Sequence, residues 1–255
     1  EIAFTFSDAR AYLDQAIERG MSVDDVAPTL FTFLSSNMEF MPEVAKFRAA
    51  RRVWAKLMRE TYGSKDPRSE QLRIFVFTAG SSLTAQQPLN NVVRTSIEAL
   101  AAAMGGCQTM HVCAFDEALG VPTEAAATLA LRTQQIVAFE TGLTDLVDPL
   151  GGSELLERLT DQLEAEVMAE MDKIAELGGA LACIESGYFA TRLSDSAYET
   201  AIAIDTGKRK VVGVNSFVSD TAEFEVFTID HESEARQIES LLRVKEKRDQ
   251  SQVTH

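Results

Sequence analysis

Three short apolar runs punctuate the first half of the chain: TLFTFLSS (Thr29 to Ser36), LRIFVFTAG (Leu72 to Gly80) and CQTMHVC (Cys107 to Cys113). Stretches of helical length separate them, and this alternation limits the possible folds more than any other feature. Strands joined by helix-length crossovers pair in parallel, with the helices covering the sheet. The aromatic and β-branched residues of the first run mark a buried strand, and the second run reads the same way.

The intervening segments carry helix punctuation. Ser7 is placed to cap SDARAYLDQAIERG, which Gly20 stops. Pro42 opens a helix that ends at Gly63, in which Val44, Phe47, Ala50/Arg51, Trp54 and Leu57/Met58 recur at helical spacing. An Ala-rich helix spans about Leu89 to Met104 and closes on Gly105 and Gly106, and another starts at Pro122. After Asp148-Pro149 the character changes to one long acidic helix, shorter helices, the extended segment VVGVNSF and a charged helix or tail from Ser233 to Arg248. Three strands cannot close a barrel, and an eight-stranded (β/α) barrel takes about 200–250 residues. The chain is therefore a small open sheet or part of something larger.

At 255 residues and 45% hydrophobic content, the chain is large enough for one large domain or two small ones. A net charge of −15 argues against nucleic acid held through its phosphates, and the acidic helices read as solvated faces. Three cysteines make no disulfide framework and suggest a reducing compartment. No run of about 18 apolar residues and no signal-like segment is present, so the expectation is a cytoplasmic protein without a membrane partner. Glu1, with no Met before it, reads as a cut or processed end.

Within CQTMHVC, period-two alternation puts Cys107, Thr109, His111 and Cys113 on one strand face. Zinc needs three or four ligands converging on a point, whereas a straight strand spreads these over roughly 20 Å. No metal is expected there.

Six segments in one order, SLTAQQPLNNVVRTSIEALAAAMGG, QTMH, DEALGVPTE, ALRTQQIV, VDPLGGS and VVGVN, resemble the barrel-bearing chain of the methylmalonyl-CoA mutase family, the adenosylcobalamin-dependent acyl-CoA mutases. The resemblance implies an α/β fold: the C-terminal half of a TIM-type (β/α)8 barrel over residues 1–148, a helical segment packed on it over 149–217, and a C-terminal extension over 218–255. It implies an acyl-CoA threaded along the barrel axis and a cobalamin-binding domain or subunit capping the strand C-termini. The other partners it implies are the N-terminal half of the barrel and a homologous mutase chain. The cobalt-binding pattern Asp-x-His-x-x-Gly is absent, and His231 in IDHESE does not fit it, so the cobalt ligand would come from elsewhere.

By the same resemblance Gln108 and Thr109 match positions that approach substrate, Glu117, Ala118 and Val121 match positions that touch the corrin, and Gly80 matches a glycine that lets the corrin approach. Without the family, Glu117 reads as a cap for the helix near Pro122, Gly80 as a turn residue and Gln108 as a partner of backbone.

Three departures stand out. Where active members carry His-x-Gln-Thr-x-Gly, this chain has Phe75-Val76-Phe77-Thr78-Ala79-Gly80. Where they carry Arg-Leu-Ser-Phe-Phe, it has Thr29-Leu30-Phe31-Thr32-Phe33. The usual His-Thr-Asn is His111-Val112-Cys113. Four polar CoA contacts are thus Thr29, Phe31, Phe75 and Phe77, and each Phe buries about 150 Å² or more. These changes imply a mutase with a more apolar substrate, a catalytically silent structural subunit, or a scaffold for cobalamin-loading partners.

Overall fold

In a computed structural model the chain is described over residues 1–219, 226–228 and 230–253, so the 218–255 extension lies partly outside the described residues. Three parallel strands form one sheet in the order β1-β2-β3: β1 (Thr32–Ser36), β2 (Ile74–Thr78) and β3 (Thr109–His111). Phe33 lies opposite Phe75, Ser35 opposite Phe77, and Phe77 opposite His111. The described strands leave the sheet open, as expected for a chain that does not close a barrel alone.

Around the sheet run α1 (Ile2–Glu18), α2 (Val23–Val26), α3 (Phe40–Lys56, continued by a π-turn at Leu57–Thr61), α4 (Asn90–Gly105) and α5 (Glu124–Phe139). Then come α6 (Glu154–Glu176), α7 (Gly179–Glu185), α8 (Tyr188–Asp205), α9 (His231–Lys247) and α10 (Gln250–Val253). No helix among the described residues is long and apolar enough to cross a membrane.

Several local expectations are corrected. The first helix starts at Ile2, and Ser7 is buried mid-helix rather than capping it, because Ile2, Ala3 and Phe6 continue the apolar face N-terminally. The first strand begins only at Thr32, since Ala27–Thr29 form a 3₁₀ turn around Pro28. The helix expected from Pro122 begins at Glu124, capped by the Thr123 hydroxyl accepting from the Ala126 N–H. VVGVNSF is a tight turn closed by a Val212–Ser216 bridge, with Asn215 bonded to the Val211 N–H and the Ile204 and Arg209 carbonyls.

Nor is the strand pair buried on both faces. Thr32, Leu34, Ser36, Ile74, Val76 and Thr78 face the helices, but Phe31 is 61% and Phe33 55% exposed. The helix-side core joins Leu34, Ile74 and Val76 to Phe6 and Leu13 of α1, Phe47 and Val53 of α3, and Met171 and Ile174 of α6. Trp54 packs tilted against Phe6 at 5.5 Å between ring centroids, and its indole N–H donates to the Ser69 carbonyl at 2.9 Å.

The expectation that the acidic helix presents a solvated face also changes. Glu157 and Glu164 of α6, with Asp148 before it, pair with Arg48, Arg52 and Lys56 of α3. Arg52 also reaches Asp161 at 2.8 Å. Exposed pairs add little stability singly, but this row lies alongside the buried Leu156, Val167, Met171 and Ile174 and matches charge along the contact.

Candidate functional site

The strand alternation leaves one sheet face uncovered, and its side chains form an aromatic stripe. Phe31 lies 5.3 Å from Phe33, and Phe33 lies 5.0 Å from Phe75, measured between ring centroids. Phe77 follows two residues along β2, on the same face, and Thr109 and His111 stand beside the pair on β3. Ser35 completes the face near the C-terminal end of β1. The structure thus places Phe31, Phe75, Phe77 and Thr109 on one face of the sheet. Thr29 sits apart in the preceding turn, exposed, its hydroxyl donating to the Val26 carbonyl at 2.7 Å.

Gln108 is engaged otherwise. Its side-chain oxygen accepts from the Ile74 N–H at 2.6 Å and its own N–H donates to the Ile74 carbonyl at 3.0 Å. These bonds extend the β2–β3 ladder at the strands' N-terminal end, so the backbone reading holds for Gln108.

Past the strand C-termini the remaining residues fall in two turns. Gly80 opens the 3₁₀ turn Gly80–Ser82 with an ordinary negative φ, and a Cβ there would meet nothing within 4 Å. Neither turn geometry nor packing therefore demands glycine. Glu117 closes the turn after β3 by accepting from the Ala114 N–H at 2.6 Å, while Asp116 accepts from both the N–H and the hydroxyl of Thr123. The helix start is thus capped by Thr123 and braced by Asp116, not by Glu117. Ala118 is half-buried and Val121 exposed in the same loop.

The expected single-face set of Cys107, Thr109, His111 and Cys113 is broken up. Only Thr109–His111 is strand, because Gly106 takes a left-handed φ of 83° to end α4 just before it. Cys107 is half-buried with Arg51 nearby, while Thr109 and His111 are exposed. Cys113 is buried, its N–H donating to the Thr78 hydroxyl at 2.8 Å and its thiol to the Thr78 carbonyl at 3.0 Å. Burial pushes the Cys113 thiol up to about 11, and Glu117 adds to the shift.

A buried carboxyl beneath the strand ends escaped the sequence reading. Glu98 of α4 is fully buried; neither of its oxygens makes a full hydrogen bond among the described residues, although Ser82 and the Ala79 backbone lie nearest. Burial pushes it up to about 7. The available signal was its position: Asn91, Thr95, Glu98, Ala102 and Gly105 repeat at helical spacing on the buried face of α4. Gly105 must be small there, since a Cβ would come within 2.5 Å of the Phe47 ring.

Beside these strand ends a cleft of about 1160 Å³ runs between α4, α8 and the 209–214 turn, lined by Asn37, Ser82, Arg94, Leu193 and Arg209 among others. Arg94 ties its walls together, donating to Asn91 at 2.7 Å, Thr84 at 3.0 Å and the Val212 carbonyl at 2.7 Å. Gln87 links the TAQQPLNN loop to Phe217 and Ser219.

An open parallel sheet with one dressed and one bare face is consistent with part of a barrel. The family model described as methylmalonyl-CoA mutase matches residues 1–255. The chain belongs to the methylmalonyl-CoA mutase family. It is 42% identical over 255 residues to the 2-hydroxyisobutanoyl-CoA mutase large subunit of Aquincola tertiaricarbonis, covering 99% of this chain and 45% of that protein. It is 42% identical to methylmalonyl-CoA mutase of Escherichia coli over 256 residues, covering 100% of this chain and 36% of that protein. The mitochondrial methylmalonyl-CoA mutase of Homo sapiens is 39% identical over 253 residues, with 98% and 34% covered. This mutase-family chain therefore spans less than half the length of these relatives.

Proposed function

We propose that the chain is the C-terminal part of the substrate-binding barrel of an adenosylcobalamin-dependent acyl-CoA mutase, an isomerase, with a pocket altered toward a more apolar acyl-CoA. The carrying observation is the uncovered sheet face with its aromatic stripe. In a closed barrel that face points inward, where an acyl-CoA would run. The division at residues 148 and 217 and a separately supplied N-terminal half-barrel belong to the same proposal. Further strands would cover Phe31, Phe33, Phe75 and Phe77 and pair the open sheet edges.

The residues at the strand C-termini suit a cobalamin cap. Open space over Gly80 lets a large flat group approach the backbone, and Glu117 offers its second carboxylate oxygen beside Ala118. When bound, the cofactor supplies the radical chemistry of the 1,2-rearrangement. This chain's own part is to bind, orient and exclude water. The stripe would keep water from the acyl end, and Thr109 offers the polar group nearest it on β3. The same lost polar contacts also suit a second reading, a silent subunit that retains the barrel without turning over CoA esters.

The test is to assemble the chain with an N-terminal half-barrel and a cobalamin-binding subunit, then titrate adenosylcobalamin and CoA esters separately. The expected result is adenosylcobalamin-dependent association, weak methylmalonyl-CoA binding and turnover of a less polar acyl-CoA. Ordinary methylmalonyl-CoA turnover would rule out the altered pocket. Association without turnover of any CoA ester would favour the silent subunit.

A further inference from the structure

His111, Cys113 and Glu117 converge just beyond the C-terminal end of β3. One ligand-type atom from each, an imidazole nitrogen, the thiol sulfur and a carboxylate oxygen, lies within 4.8 Å of the other two. From this geometry we propose a mononuclear divalent-metal site of zinc type, with a vacant fourth position for water or an exogenous ligand, formed by the spacing His-x-Cys-x-x-x-Glu.

Each ligand is held by a separate backbone anchor. His111 is the last residue of β3 and sits in the parallel ladder opposite Phe77. Cys113 is fixed by its N–H on the Thr78 hydroxyl, and its thiol points at the Thr78 carbonyl. Glu117 is turned inward by the Ala114 N–H on one oxygen, and its carboxylate lies against the Cys113 thiol. The His111 ring has no hydrogen-bond partner among the described residues and is exposed, so it can rotate toward the other two. Zinc bonds of about 2.0–2.3 Å put tetrahedral ligand atoms roughly 3.3–3.8 Å apart. Side-chain torsions need close the triad by only about 1 Å to reach this spacing.

The mixed N, S, O donor set suits zinc over magnesium or calcium, which take oxygen ligands. Three protein ligands with a fourth position open is the arrangement of reactive rather than structural zinc sites. Binding is an exchange without redox: the thiol gives up its proton to solvent as the metal–sulfur bond forms, and the imidazole binds neutral. Cys107 takes no part. The exclusion of a metal from a straight run of Cys107, His111 and Cys113 does not apply here. The chain turns after His111 and brings in Glu117, a ligand the strand pattern does not contain. Zinc and the cobalamin cap of the proposed function would draw on the same remaining Glu117 oxygen, so the metal is read on cobalamin-free protein, where its affinity for the triad does not depend on the mutase reading.

The test titrates metal-free full protein with Zn²⁺ in competition with a chromogenic chelator, and separately with Co²⁺ as a spectroscopic probe. One equivalent of Zn²⁺ should bind with micromolar or tighter affinity, and Co²⁺ should give a thiolate-to-metal charge-transfer band with tetrahedral-type visible bands. His111→Ala, Cys113→Ser and Glu117→Gln should each weaken zinc by at least the roughly 10–100-fold that loss of an outer-sphere partner costs, while Cys107→Ser leaves it unchanged. No stoichiometric zinc, or zinc binding indifferent to the three variants, would overturn the proposal. If the variants fold poorly, a wild-type Co²⁺ spectrum without the thiolate band overturns it alone.

Discussion

The two faces of the sheet are built from the same two apolar runs and have opposite fates. On one, Leu34, Ile74 and Val76 are sealed under α1, α3 and α6; on the other, Phe31 and Phe33 meet solvent although they are larger apolar side chains. Hydrophobicity therefore does not decide which face is covered by this chain. The helix-facing side carries the buried core of the segment, and the open side leaves its apolar area exposed among the described residues.

The sharpest way to break this comparison is paired truncation. Leu34→Ala should cost about 2–5 kcal/mol, the range for deleting a buried aliphatic side chain. Phe33→Ala on the open face should cost under about 1 kcal/mol, close to the worth of its aromatic neighbours alone. Urea denaturation of the two variants measures both. Equal losses would mean the open face is covered within this chain after all.

A comparable effect is expected beneath the closed face. Because Glu98 sits at about 7 rather than its ordinary 4.5, the folded protein prefers it protonated and holds more protons than the unfolded chain between those values. Its contribution is therefore intact below about pH 4.5 and is lost as pH rises through 7, by about 3 kcal/mol in the limit. Glu98→Gln should remove that loss, so the variant should gain on wild type by about this amount between pH 4.5 and pH 8. Denaturant midpoints measured across that range check it. Taking the difference between the two proteins cancels the opposing slope of depressed carboxylates such as Asp24, whose bonds to Ser69 and Lys65 hold it low.

The smallest effect sharpens the meaning of the open face. In the assembled protein, Phe75→His with Phe77→Gln should strengthen methylmalonyl-CoA binding by about tenfold or more, the equivalent of about 1.4 kcal/mol. The same double change should leave the urea midpoint of the chain nearly unmoved, because it lies on the uncovered side. Equilibrium binding to the assembled protein gives the first quantity and denaturation the second.

The order of strands and helices was readable because its signals are local. Glycines at 20, 63, 105 and 106 punctuate helices, and Val44, Phe47, Trp54 and Met58 repeat at 3.6-residue spacing. Element ends were less readable where a cap-forming residue sits inside an apolar repeat. Ser7 has the chemistry of a cap, but Ile2, Ala3 and Phe6 extend the buried stripe past it, and burial prevails over one hydrogen bond.

The candidate site divides the same way. The sequence by itself determined the parallel strand–helix alternation, the presence of Phe31, Phe75 and Phe77 in the two apolar runs, and, through period-two alternation, their sharing of one face. Only the tertiary structure decided that this face lies bare, that the acids of α6 meet Arg48, Arg52 and Lys56, that Glu98 is buried without full hydrogen bonds, and that Glu117 swings back to His111 and Cys113. The reason is physical. Periodicity and capping act within a few residues, whereas burial, desolvation of a carboxyl and the convergence of ligands depend on which distant segments come to lie against them.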